Sequence, residues 1–506
     1  MKRAPGNKPL RNKRAPQSKA VSTALARARA KKQKRGIALI MVLGAITILT
    51  VFLTELQTDT TSAVAGALAE RDRLKAEYYA KSAVNLTRLL LASEKPLRVK
   101  AGAGILGIML QTVLGTKRAP QIPIWEFTDM VLGPFNGGDR ITNFGNSVGV
   151  DISTAKNVGI PGNGYFNLTI TDEDSKININ TAAGVATPKQ LVGQLATLLV
   201  QPQYETIFQA PDGDGQQTDA AGLCASLIDW ADPDENQTNC LDPDNTSGSE
   251  DNIYQVLGLG YVRKNAPYDS IEELRLLRGM DDDRWATFVD PEPEDPHKRV
   301  LTIYGQDTSS NPINVNTANP QVLLAIVCAV GPQSVMCNDI AQAQNFIGAF
   351  SILRSIARGA PLFPSWPSFR NALQGKGMVG QILASLGVPP VEFDKTLGSR
   401  RVLRKLFKFE SKLFSIYAEG VVPGVQREAR VRIHAVIDMR EAGEWGSGAG
   451  IDPNDPTGKN TNSSRAAADD AAAEALDNDP NALVDGDWLN ELKTNPFGSI
   501  VYYRID

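Results

Sequence analysis

Seventeen consecutive residues, Ile37–Leu53, carry no charge and consist only of apolar residues, Gly and Thr. As a helix rising ~1.5 Å per residue, the run reaches about 26 Å, enough to enter or cross a bilayer core. No other stretch of the sequence combines that length with that apolarity. Before it lies a leader, residues 1–36, with 13 Lys or Arg and no Asp or Glu. Positive charge stays cytoplasmic, so the body after Leu53 is expected outside the inner membrane.

The junction admits three readings. In a secretory signal peptide the cut follows the apolar run. The small-residue sites Ala63-Val64-Ala65 and Ala67-Leu68-Ala69, however, sit behind polar Thr54-Glu55-Leu56-Gln57-Thr58-Asp59, far from it. A second reading is a simple uncleaved anchor. In the third, the cut falls between Gly36 and Ile37, the anchor is kept, and Met41 becomes the fifth residue.

At 506 residues, and at ~150 per domain, two to four folded units are expected. The net charge of −3 hides an asymmetry: with +13 in the leader, the remainder stands near −16. An acidic body lacks the clustered basic face that phosphate binding needs, which argues against nucleic acid. The two His, His297 and His434, lie in separate regions, which leaves little basis for His-centred catalysis or a His-rich metal site. There is no G-x-S-x-G, P-loop or H-E-x-x-H motif, and no enzymatic activity is expected. Four Cys form two close pairs, Cys224 with Cys240 and Cys328 with Cys337, at spacings foreign to C-x-x-C sites. In an exported chain such pairs suggest disulfides, and in a reducing compartment buried thiols.

Residues 54–94 contain no Pro, and Val64, Leu68, Leu74, Tyr78, Leu86 and Leu90 recur at helical spacing. One long helix is expected, apolar first and amphipathic later. Residues 96–162 read as a long connection with a short helix near Ile105–Leu114, and Tyr165–Thr171 as a strand. An internal repeat follows: Ile177-Asn-Ile-Asn-Thr-Ala182 recurs as Ile313-Asn-Val-Asn-Thr-Ala318, each before a helical pattern. Asn and Thr there fit turn and N-cap roles, and the repeat marks two related helical subdomains. Further helical patterns cover Phe369–Leu386 and Phe393–Leu406. Leu413–Val422 and Glu428–Met439 alternate as strands around Pro423-Gly424, with Phe414, Ile416 and Ala418 on one face. Both should return to the sheet begun at Tyr165. Glu441–Asp487 reads as a loop, and residues 500–505 as a closing strand.

Between the repeats, carboxylates crowd. Asp229, Asp232, Asp234, Glu250 and Asp251 could converge on one hard cation, with Asp242 and Asp244 as further candidates. Asp232, Asp234 and Asn236 have the one-three-five spacing of an EF-hand loop, but Gln237 and Pro243 replace its Gly and bidentate Glu. The other reading is two solvated acidic turns around a disulfide.

The leader, Lys34-Arg35-Gly36 before Ile37-Ala38-Leu39-Ile40, resembles that of type IV prepilins. Most of those carry Glu at mature position five, which meets the N-terminal amine of a neighbouring subunit; Met41 cannot. Leu227-Ile228-Asp229-Trp230-Ala231-Asp232-Pro233-Asp234, then Gly248-Ser249-Glu250-Asp251, then Glu273-Leu274-Arg275 with Gly279-Met280, flanked by the repeats, resemble the general secretion pathway protein K family in their order. The resemblance covers roughly residues 35–94 and 165–440. It implies a minor pseudopilin of the type II secretion system, and lack of the Glu is a trait of that subunit.

The implied fold is α+β: a pilin-like N-terminal helix and antiparallel β-sheet with a large inserted α-helical domain of two SAM-like or helix-hairpin-helix-like repeats. The expected organisation is a leader over 1–36 and a spine helix over 37–95, membrane part 37–53. The head would be 96–173 with 411–506, and the inserted domain 174–410. The family further implies prepilin peptidase cleavage, N-methylation of Ile37 and a structural Ca²⁺. Its implied partners are the other minor pseudopilins, the major pseudopilin and the inner-membrane assembly platform. Two alternatives remain open: a minor pilin of a type IV pilus, and a membrane-tethered DNA-uptake protein using the repeats.

Overall fold

A computed structural model describes, with short breaks, residues 18–103, 121–135, 163–249, 254, 260–305, 312–393, 403–442 and 497–506. The short helix expected near 105–114 and nearly all of the 441–487 loop lie outside these residues. Two compact units divide the chain, Met1–Asp72 and Arg73–Asp506.

The first unit holds the N-terminal part of helix α1, Ser18–Ala103. The helix starts within the basic leader and passes Gly36 without a break. Its apolar residues from Ile37 are exposed, Ile40 at 72% and Ile48 at 73%. From Arg73, in the second unit, α1 becomes one-sided: Ala76, Ala80, Ala83, Thr87 and Leu90 are buried at steps of three and four residues. The helix does not stop before Pro96, as expected from the sequence, but runs to Ala103. A proline removes one helical hydrogen bond, and the helix-forming residues beyond it, such as Leu97, Arg98 and Lys100, carry the helix on.

In chain order, β1 (Tyr165–Asp172) leads to β2 (Ile177–Asn178), α2 (Lys189–Leu199) and α3 (Ala220–Asp229). Then come β3 (Leu301–Thr302), β4 (Ile313–Asn314), α4 (Pro320–Val330) and α5 (Ile340–Ala357). Next are α6 (Trp366–Leu373), α7 (Gly377–Ser385) and β5 (Phe407–Lys408). Last come β6 (Leu413–Val422), β7 (Ala429–Asp438) and β8 (Ser499–Ile505).

Among the described residues, four strands form one antiparallel sheet in the order β1-β6-β7-β8. Leu168 faces Ala418 and Ile416 faces Ala435 across its ladders. The return of β6 and β7 to the sheet begun by β1 is thus as the period-two pattern predicts. Phe166, Ile416, Ala418, Ile433, Ala435 and Ile437 pack on Ala80, Ala83, Val84 and Leu90 of α1. Small residues on the helix let the backbones approach closely. A Cβ added at Gly420 would lie 1.8 Å from the Ala76 carbonyl oxygen, so only glycine fits there.

Elements β2–β5 and α2–α7 lie in sequence between the adjacent strands β1 and β6, and surround a second core. Two sequence expectations need comment here. The Phe369–Leu386 pattern is two helices, because Gly375 and Gly377 take φ near +72° between them. The Glu273-Leu274-Arg275 segment is a 3₁₀ stretch, Ile271–Leu276, followed by Gly279 at φ +78°. Phe393 is non-helical, and most of 394–404 lies outside the described residues.

Candidate functional sites

The anchor is helical throughout 37–53. Its hydroxyls are satisfied locally: Thr47 donates to the Gly44 carbonyl at 2.8 Å and Thr50 to that of Ile46 at 2.6 Å. A hydroxyl bonded back to its own helix loses less on entering lipid. The described helix Ile37–Glu94 is long and apolar enough to cross a membrane. Met41, 66% exposed on it, adds no charge to the span.

The repeat has a physical basis in both copies. Asn178 and Asn314 open a turn in the same way, each side chain accepting from the backbone N–H two residues on, at 3.0 Å. The second Asn does what the sequence did not reveal. Asn180 accepts from Tyr268 N at 2.7 Å and donates to the carbonyls of Tyr268 and Ile303. Asn316 accepts from Phe363 N at 2.8 Å and donates to its carbonyl at 2.9 Å. Both are therefore clamps on a distant backbone and not N-caps; the N-cap of α4 is Asn319, which accepts from Gln321 N. The two repeat helices α2 and α4 touch directly, Thr197 donating to the Ala325 carbonyl at 2.8 Å.

Below α3 lies the acidic turn. Asp229 ends the helix, and its carboxylate accepts from Thr238 N at 3.0 Å. Asp232 is fully buried, and neither of its carboxylate oxygens has a hydrogen-bond partner. Asp234 accepts from Asn236 N at 2.8 Å, so two of the residues with EF-hand-like spacing build a local turn. Burial pushes the Asp229 carboxyl up to about 6, against bonds from Thr238. Burial, then the charges of Asp229 and Asp234, push Asp232 up to about 7. Cys224 and Cys240 are joined across this turn, and Cys328 of α4 is joined to Cys337 just after that helix. Glu250 and Asp251 lie outside the described residues, and Asp242 and Asp244 are exposed. Among the described residues no three Asp, Glu, His or Cys side chains converge to hold a metal.

Trp230, between these carboxylates, stacks on Tyr268 with centroids 6.4 Å apart and donates from Nε1 to Glu273 at 3.3 Å. It thereby links the acidic turn to the 3₁₀ segment and to the Asn180 clamp.

The family model described as type II secretion system protein K matches residues 175–288. That span runs from the first repeat through α3, the acidic turn and the 3₁₀ segment. Over residues 175–288 the chain is therefore similar to the protein K family of the type II secretion system. The type II secretion system protein K of Pseudomonas aeruginosa is 30% identical over 185 residues, 36% of this chain and 44% of that protein. That of Klebsiella pneumoniae is 26% identical over 207 residues, 39% of this chain and 54% of that protein. The chain thus spans about half the length of the curated relatives it matches. A chain of the solved GspK-GspI-GspJ complex from the type 2 secretion system of enterotoxigenic Escherichia coli aligns at 17% identity, with a TM-score of 0.32. The alignment covers 55% of this chain and 76% of that one.

A second group of acids escaped the sequence altogether. Buried Asp172, at the end of β1, accepts from the hydroxyls of Thr317 and Ser411 and from Asp174 N at 2.9 Å. Asp174 accepts from Lys412 N at 2.7 Å and pairs with Lys408 at 2.6 Å. These carboxylates lock β1, the second repeat and the start of β6 together. Their partners lie far apart in sequence, so no local pattern signals them.

Proposed function

We propose that the chain is a minor pseudopilin, the protein K subunit of a type II secretion system, and is a structural assembly protein without enzymatic activity. The observation that carries this is the protein K segment at 175–288, set between adjacent strands of an antiparallel sheet backed by a helix with an uncharged N-terminal anchor. On this reading prepilin peptidase cuts between Gly36 and Ile37, and Ile37 is N-methylated. Residues 37–53 stay in the inner membrane with the head in the periplasm. The domain division is leader 1–36, spine 37–95, pilin-like head 96–173 with 411–506, and inserted domain 174–410. The inserted domain is built from two SAM-like or helix-hairpin-helix-like repeats.

The partners are other minor pseudopilins, the major pseudopilin and the inner-membrane assembly platform, with which the chain initiates and caps the pseudopilus and supports protein export across the outer membrane. Met41 supports a tip position, because a subunit without the carboxylate has nothing to offer the amine of a neighbour; a carboxylate in a bilayer costs several kcal/mol unless paired. The bulk of the inserted region also opposes stacking above it. No nucleic-acid partner is proposed.

A structural divalent cation such as Ca²⁺ at the acidic turn is part of the same proposal. The buried carboxylate of Asp232, without a hydrogen bond, is what supports this: the nearby Arg263 guanidinium offsets only part of the charge of Asp229, Asp232 and Asp234, and the rest needs a counter-charge or a proton. Asp229, Asp232 and Asp234 do not converge on one point as they stand, so holding the cation would require them to draw together, with Glu250 and Asp251 following in sequence. It would neutralise their mutual repulsion.

Deleting the chain from its genome tests the assignment. Export across the outer membrane should fall to background, while surface pili and DNA uptake persist. Retained export, or loss of pili or DNA uptake instead, would favour one of the two alternatives.

A further inference from the structure

A cleft of about 700 Å³ opens between the helical region and the sheet face turned away from α1. Its floor is aromatic. Tyr417 stacks on His434 with centroids 4.3 Å apart, and Tyr304 meets Tyr502 at 5.4 Å. Its walls are ionic, and each cation is already matched. Lys176 pairs with Glu173 at 2.6 Å and Arg299 with Asp290 at 2.8 Å. Arg432 pairs with Glu419 at 3.1 Å and Arg504 with Asp506 at 2.8 Å. Burial pushes His434 down to about 4, so it adds no positive charge at neutral pH.

Two lining carboxylates are left over. Glu272 stands 3.6 Å from Arg504, which Asp506 already engages. Glu294 lies exposed on the lip, in the segment Pro293-Glu294. Surplus carboxylates favour a cation because the net charge of the lining is negative; the Tyr417 ring adds nothing to this, since Arg299 already lies 5.6 Å over it and His434 stacks on it.

The size and the border of the cleft decide which kind of cation fits. Its volume falls within the ~300–1,000 Å³ of sites that enclose a whole ligand, more than one side chain fills. Tyr502 and Arg504 also belong to β8, the outer strand among the described residues. Main-chain groups at such an edge can hold an extended peptide beside the cleft.

We propose that this cleft binds a basic segment of a protein partner, a short extended stretch whose Lys or Arg side chains enter between Glu272 and Glu294. The site lies on the opposite side of the sheet from α1 and does not depend on the secretory assignment.

Calorimetric titration of the full chain in detergent with pentalysine, pentaglutamate and spermidine tests it. Pentalysine should bind, pentaglutamate should not, and spermidine should be at least tenfold weaker than the peptide. The double variant Glu272→Gln, Glu294→Gln should lose about tenfold in pentalysine affinity. Arg432→Gln, at a side chain 74% exposed, should gain about threefold by enlarging the carboxylate surplus. Unchanged affinity in both variants would place the peptide elsewhere on the acidic body and overturn the proposal. So would absent pentalysine binding, equal binding of pentaglutamate, or spermidine binding as tightly as the peptide.

Discussion

Asp232 is the residue on which most of the local chemistry turns. Its carboxylate is buried without a partner, and folding raises its pKa from the usual ~3.9 to about 7. An acid whose folded pKa is raised binds its proton more tightly folded than unfolded. Without a divalent cation, stability should therefore fall as pH rises from ~4 to ~7 and level off above. Asp229, raised to about 6, and Asp172, raised to about 7 first by burial and then by Asp174, add to the same window. Thermal melts in chelator should show that decline, and Asp232→Asn should shrink it without abolishing it. Ca²⁺ at pH 7.5 should raise the melting temperature of the parent and not of Asp232→Asn. An identical Ca²⁺ response in the variant would remove Asp232 from the site. Asn180 makes a second residue-scale test. Asn180→Ala strands buried main-chain groups of Tyr268 and Ile303 and should cost about 3 kcal/mol in denaturant melts. The clamping role of Asn180 and Asn316 was not legible in the sequence, because their targets lie in other loops. What the repeat did disclose was that both copies do the same thing.

Among the elements, the strands were the most legible. The bounds of Leu413–Val422 are those the period-two pattern gives, with Ile416 and Ala418 on α1 and Tyr417 and Glu419 at the cleft, although burial at both ends of the strand hides the alternation. Helix bounds were less legible where special backbone decides. Gly375 and Gly377 split one apparent helix, and Pro96 failed to stop another. The contact of α1 with β6 rests on Gly420, since a side chain there would enter the Ala76 carbonyl. Gly420→Ala should push the helix from the sheet and cost roughly 1–3 kcal/mol or more, read as a lower denaturation midpoint. A substitution that left the midpoint unchanged would mean that α1 does not pack on the sheet in solution.

At the scale of the whole molecule, two staples hold the helical region: Cys224–Cys240 over a separation of 16 residues and Cys328–Cys337 over 9. Loops of that size give a crosslink about 3 kcal/mol of stabilisation on chain-entropy grounds. Reduction should lower the melting temperature of the folded chain and slow its migration in unheated non-reducing gels. No effect of reductant on either would mean that the thiols are free. The pairing was suggested by spacing alone. By contrast, the junction of Asp172 with Thr317 and Ser411, which ties the sheet to the second repeat, was hidden by sequence distance. The anchor was visible from the first, because seventeen uncharged residues behind a basic leader have few other uses. What its N-terminus becomes is the claim on which the pseudopilin account stands. Intact-mass analysis of the protein extracted from membranes decides it. The account predicts a single species beginning at Ile37, heavier by one methyl group. A mass retaining residues 1–36, or one beginning near Gly66 or Glu70, would contradict it.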